Sequence, residues 1–179
     1  MTADPPRALT ILYTGSGKGK TTAAFGLALR MLGHGWKVLI LQFLKGPIES
    51  GERIAARRLA PDLTVRTLGQ GYVCLHGAAP TDDDRRLARL AWDVARREIG
   101  QGPWNAVVLD EVNVLTSLGL LPVDDLLHLI RSRPRGLTLV LTGRDADERV
   151  REAADIVTDM SCVRHVYDAG LTDLEGIDR

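Results

Sequence analysis

The stretch YTGSGKGKTT, Tyr13–Thr22, lies between an apolar run, Leu9–Tyr13, and an Ala- and Leu-rich segment, Lys20–Leu32. A short apolar strand, a glycine-rich turn and a helix, in that order, form the setting of a phosphate-binding loop, whose general pattern is G-x-x-x-x-G-K-[ST]. Counted back from Gly19-Lys20-Thr21, the first glycine of that pattern falls on Thr14. The glycine present, Gly15, stands one residue later. The composition still suits phosphate. Gly15, Gly17 and Gly19 let backbone N–H groups turn inward around phosphate oxygens without side-chain obstruction. The helix that begins near Lys20 adds the partial positive charge of its N-terminus. Lys20 supplies a formal charge, and the Thr21 hydroxyl can ligate Mg²⁺.

Working outward, further apolar runs occur at Val38–Leu44, Ala106–Leu109 and Leu137–Leu141, with weaker strand signals at Thr64–Leu68 and Cys162–Tyr167. The strong runs are continuous rather than alternating, as expected of strands covered on both faces in a parallel sheet. Helical signals fall between them. Lys20–Leu32 stops at Gly33, Thr81 followed by three aspartates opens a helix that runs to Gly100, and Val123–Arg133 ends before Pro134. Asp145 with Glu148 opens another, extended through Ala154. Strands alternating with helices predict an α/β fold, a doubly wound, mainly parallel sheet of the RecA-like phosphate-loop NTPase type. Residues 9–179 read as a single domain and residues 1–8, with Pro5-Pro6, as a loose arm.

A second element belongs with the loop. AVVLDE, Ala106–Glu111, is an apolar strand ending in two carboxylates, and such a strand end holds the metal-bound nucleotide in phosphate-loop proteins, through Asp110 or Glu111. Glu111 is also the natural base for an attacking water, so these residues alone suggest an ATPase. Two more strand ends carry basic residues, Arg144 after Leu137–Leu141 and Lys45 in QFLKG, Gln42–Gly46. Ligands of open α/β sheets lie beyond the carboxyl ends of the strands, which puts Arg144 within reach of phosphate and QFLKG at the same ligand-binding edge.

Composition narrows the remainder. Formal net charge is zero, so no global positive field gathers nucleic acid or anionic membrane, and the paired arginines are interspersed with acids as on solvated helix faces. Cys74 and Cys162 have no companions at disulfide or metal spacing, and His34, His76, His128 and His165 are dispersed. With no signal-peptide pattern and no apolar run near ~18 residues, a cytoplasmic location is expected.

Together the segments Tyr13–Arg30, QFLKG, Gly51-Glu52, VLDEVN (Val108–Asn113), LTGR (Leu141–Arg144), ADIVTDM (Ala154–Met160) and the tail Val163–Asp178 resemble the corrinoid adenosyltransferases of cobalamin synthesis and salvage. The resemblance spans nearly the whole chain. It implies that ATP is an adenosyl donor: the cobalt(I) of cob(I)alamin or cob(I)yrinic acid a,c-diamide attacks the 5′ carbon of the ribose and triphosphate leaves intact. A loop one residue short then holds the triphosphate to present C5′ rather than the γ-phosphorus.

Carried over by that resemblance, Thr14, Gly15, Ser16, Gly17, Lys18, Gly19, Lys20, Thr21 and Thr22 bind ATP. Thr21 and Glu111, with Asp110 in support, hold Mg²⁺ or Mn²⁺, and Lys20, Glu111 and Arg144 carry the catalytic roles. No general base is needed, because cobalt(I) is itself the nucleophile, and an external electron donor such as a reduced flavoprotein supplies it. Tyr72, Cys74 and Asn113 fall at positions near the corrinoid. Here the chain departs from the family, which usually shows Phe-Thr-Trp in this loop: Tyr72 keeps a ring, but Cys74 stands at the tryptophan position. The arm is shorter than in many relatives, and a homodimer is expected. Two other readings share the same residues, a phosphate-loop ATPase or small-molecule kinase, and a non-catalytic corrinoid- or nucleotide-binding regulator.

Overall fold

Long buried apolar runs decide the architecture. In the computed structural model, which describes residues 8–46, 49–69, 71, 79–166, 170 and 174–177, the described strands are β1 (Thr10–Thr14), β2 (Val38–Gln42), β3 (Leu63–Thr67), β4 (Ala106–Asp110), β5 (Thr138–Thr142) and β6 (Ile156–Asp159). They form one sheet in the order β3-β2-β4-β5-β1-β6, with every neighbouring pair parallel. The helices are α1 (Lys20–Leu32), α2 (Gly51–Ala56), α3 (Asp82–Gln101), α4 (Val112–Ser117), α5 (Val123–Ser132) and α6 (Glu148–Ala153). This is the doubly wound α/β class expected from the alternation of strands and helices.

Every residue of β2, β4 and β5 is buried, because each face of the sheet meets helices. Val38, Ile40, Val108 and Val140 face Ala24, Ala28 and Met31 of α1. Their alternates Leu39, Leu41, Leu109, Leu139 and Leu141 face α3, α4 and α5. Each such side chain contributes about 1.5–3 kcal/mol of burial, which is why an apolar run here has no polar alternation. The twenty-residue helix α3 opens with a reciprocal cap: Asp84 N–H donates to the Thr81 hydroxyl (3.2 Å), and Thr81 N–H donates to the Asp84 carboxylate (2.8 Å). Ala88, Ala91, Trp92, Ala95 and Ile99 then form its buried stripe, and Trp92 meets Phe43 with ring centroids 6.4 Å apart.

Two expectations are corrected. The sixth strand is Ile156–Asp159, whereas Cys162–Val166 forms no strand and Tyr167 lies outside the described residues. The edge beside β1 is already filled: Asp155 N–H donates to Thr10 O and Met160 N–H to Thr14 O, both at 2.8 Å, so β6 is held at each end. The last described helix is capped by Asp147, whose carboxylate accepts from Arg149 N–H (2.9 Å), and not by Asp145, which lies two residues earlier with a left-handed backbone (φ 54°). The short helices α2 and α4 add to the elements expected.

A parallel sheet collects all its carboxyl ends on one edge. Thr14, Gln42, Asp110 and Thr142 therefore end their strands side by side, each of them buried.

Candidate nucleotide site at the carboxyl edge of the sheet

The loop after β1 is shaped by a neighbour as well as by its own glycines. Gly17 N–H donates to the Met160 carbonyl at 2.7 Å, which ties the middle of the loop to the chain leaving β6. A Cβ on Gly17 would stand 2.5 Å from the Ser161 carbonyl oxygen, and one on Gly15 would strike the Asp159 carboxylate and the Met160 carbonyl. These two glycines are therefore required by the close approach of residues 159–161, a cause additional to phosphate. Gly19 (φ 113°) turns the chain into α1.

Lys20, the first residue of α1, folds its side chain back over the loop. Its ammonium donates to Gly15 O (2.8 Å) and Gly17 O (2.6 Å) and is buried. Burial lowers its pKa, opposed by the charge of Glu111, with Arg144 adding to the lowering. A desolvated cation within a ring of loop backbone is a ready phosphate ligand, since phosphate oxygens can replace the two carbonyls.

The acidic strand end meets the loop directly. Asp110, 1% exposed, accepts three hydrogen bonds: from the Thr21 hydroxyl (2.9 Å) and the Thr142 hydroxyl (2.8 Å) on Oδ1, and from the Gln42 amide (3.3 Å) on Oδ2. Burial pushes its pKa up while these donors hold the ionised form. Glu111 begins the turn into α4 with left-handed dihedrals (φ 63°, ψ 22°). Desolvation, then repulsion from Asp110, raises its pKa; Lys20, Arg144 and Lys45 pull the other way.

Thus the structure gathers Thr21, Lys20, Asp110 and Glu111, as expected. Arg144 is exposed at the end of β5 after Gly143 (φ 129°), close enough for its charge to act on both Lys20 and Glu111. Asn113 lies in α4 behind Gly143, fully buried, with neither side-chain amide atom partnered among the described residues. Tyr72 and Cys74 lie outside the described residues. Thr142 and Gln42 were not assigned roles from sequence, although both end strands within the motifs LTGR and QFLKG. Lys45 beyond β2 pairs with Glu52 of α2 and adds positive charge near the carboxylates.

The donor set fits Mg²⁺ or Mn²⁺. Hydroxyl and carboxylate oxygens are hard ligands, and two adjacent buried carboxylates, of which Asp110 raises the pKa of Glu111, are a place where a divalent cation is favourable. No group of three or more His, Cys, Asp or Glu among the described residues is arranged to hold a metal. An ion here would share phosphate oxygens with Thr21 and Glu111, as magnesium commonly does.

A phosphate loop at the first strand, an acidic end on β4 and a basic end on β5 define a nucleotide-binding protein of the phosphate-loop α/β class. The chain belongs to the ATP:corrinoid adenosyltransferase family BtuR/CobO/CobP, whose profile matches residues 6–178. It is 37% identical over 175 residues to the corrinoid adenosyltransferase of Pseudomonas aeruginosa, covering 96% of this chain and 84% of that one. The corrinoid adenosyltransferase of Escherichia coli K12 is 34% identical over 176 residues, covering 98% and 88%. That of Salmonella typhimurium, named CobA, is 33% identical with the same coverage. No described helix is long and apolar enough to cross a membrane.

Proposed function

We propose that the protein transfers the 5′-deoxyadenosyl group of ATP to the cobalt(I) of a corrinoid and releases inorganic triphosphate. One observation carries this reading: the family match runs from residue 6 to residue 178 of a chain whose loop, acidic strand end and basic strand end converge on one edge. Residues Thr14–Thr22 cradle the triphosphate. Lys20 exchanges the carbonyls of Gly15 and Gly17 for phosphate oxygens and balances the charge of the leaving group. Thr21 and Glu111 hold Mg²⁺ or Mn²⁺ with Asp110 behind them; when bound, the ion neutralises the triphosphate and so favours its departure. Arg144 steadies the same group from the end of β5.

The reacting bond lies at the 5′ carbon. Cobalt(I) donates its electron pair to that carbon while the carbon–oxygen bond to the α-phosphate breaks, and the electrons leave with triphosphate. No protein base takes a proton, so the residues act by orientation and charge. Tyr72, Cys74 and Asn113 are assigned to the corrinoid, with the unpartnered amide of Asn113 supplying hydrogen-bonding capacity at that side. An external reductant such as a reduced flavoprotein supplies cobalt(I), and the working form is a cytoplasmic homodimer. Mass spectrometry of the corrinoid after incubation with ATP, Mg²⁺ and chemical reductant tests the proposal. A mass gain of one 5′-deoxyadenosyl group, lost on illumination, is expected; an unmodified corrinoid contradicts it.

A further inference from the structure

Sheet order places β5 between β1 and β4, so its carboxyl end is flanked by the strand of the phosphate loop on one side and the acidic strand on the other. The last residue of β5 is Thr142, fully buried. Its hydroxyl accepts a hydrogen bond from Glu111 N–H at 2.8 Å and donates its single proton to Asp110 Oδ1, also at 2.8 Å. Asp110 Oδ1 in turn accepts from Thr21 of the phosphate loop at 2.9 Å. One hydroxyl thereby joins the two carboxylate-bearing residues and, through Asp110, the loop.

The contact to Glu111 has a particular consequence. Glu111 has φ 63°, a conformation that L side chains adopt rarely and that persists where surrounding contacts over-determine it. Its own side chain makes no capping hydrogen bond to α4, whereas its backbone N–H donates to the Thr142 hydroxyl. Gly143 continues the arrangement: a Cβ there would press on Asn113 and Val114 at 3.0–3.2 Å, which keeps the end of β5 close against the first turn of α4.

We propose that Thr142 is a positioning residue: its hydroxyl holds Glu111 in the left-handed conformation and Asp110 in register with Thr21, so that the carboxylates meet the metal–nucleotide already aligned. The proposal deepens, and rests on, the adenosyl-transfer reading of this edge. A merely structural threonine at a strand end would affect folding stability and leave metal dependence untouched. Groups that orient ligands from behind typically influence metal affinity or rate by 10–100-fold.

The test uses the whole chain with Thr142→Val, nearly the same in shape, and Thr142→Ser, which keeps the hydroxyl. Binding of Mn²⁺ in the presence of ATP is followed by electron paramagnetic resonance, and kcat and KM are measured separately. For Thr142→Val the expected result is Mn²⁺ affinity and kcat each lower by about 10–100-fold, with KM for the corrinoid unchanged and Glu111 out of the left-handed region in its crystal structure. Thr142→Ser should stay within about threefold of the natural protein. Natural Mn²⁺ affinity in Thr142→Val, or a loss in Thr142→Ser equal to that in Thr142→Val, overturns the proposal. If Thr142→Val does not fold, the comparison of Thr142→Ser with Thr142→Ala decides in the same way. A natural protein that forms no cobalt–carbon bond refutes the functional reading instead, and the Mn²⁺ measurement still decides the role of Thr142.

Discussion

Lys20 donates to Gly15 O and Gly17 O, and in the proposed reaction phosphate oxygens take the place of both. Replacing it with alanine removes a charged donor at the leaving group, so Lys20→Ala should lower kcat by about 10²–10³-fold in a protein that still folds. Unchanged turnover in a steady-state assay would refute the role given to the loop. Glu111 makes a different prediction. Its folded pKa lies above its unfolded value because of burial and then Asp110, so between the two values the native state binds more protons and stability falls as pH rises. In metal-free protein at about pH 7, Glu111→Gln should therefore melt higher than the natural chain, with the difference fading toward about pH 4. A variant that melts lower at neutral pH contradicts this. At this scale the placing of Lys20, Thr21, Asp110, Glu111 and Arg144 at one sheet edge was legible, because the glycine loop and the two strand ends that carry them follow apolar runs of a parallel sheet. Thr142 was not, since its partners Asp110 and Glu111 stand 32 and 31 positions away in the chain and only strand order joins them.

Elements carry the next set of effects. The phosphate loop and the end of β6 fit against one another through Gly17, so Gly17→Ala forces Ser161 or the loop to move. The expected outcome is a raised KM for ATP with a melting temperature close to the natural one; an unaltered KM would show that the loop tolerates the displacement. At the start of α3, Thr81→Ala removes the acceptor of Asp84 N–H and should cost about 1 kcal/mol in urea denaturation. That cap was readable from threonine followed by aspartates. The strand β6 was not, because all four of its residues are exposed and it has no buried run to announce it. Its position follows from pairing with β1, which no local pattern encodes.

Across the whole molecule, strand–helix alternation was enough to predict a parallel α/β sheet, since continuous apolar strands are stable only with both faces covered. The order β3-β2-β4-β5-β1-β6 was not in that pattern, and it is this order that brings Thr142 beside Asp110 and Arg144 near the phosphate loop. The same residues serve hydrolysis or adenosyl transfer according to which atom of ATP is attacked. The fate of the phosphates therefore tests the functional reading most directly. Phosphorus-31 NMR of a reaction containing ATP, Mg²⁺ and chemically reduced corrinoid should show inorganic triphosphate accumulating in step with the light-sensitive cobalt–carbon product. Accumulation of ADP and orthophosphate, with the corrinoid unaltered, would contradict it.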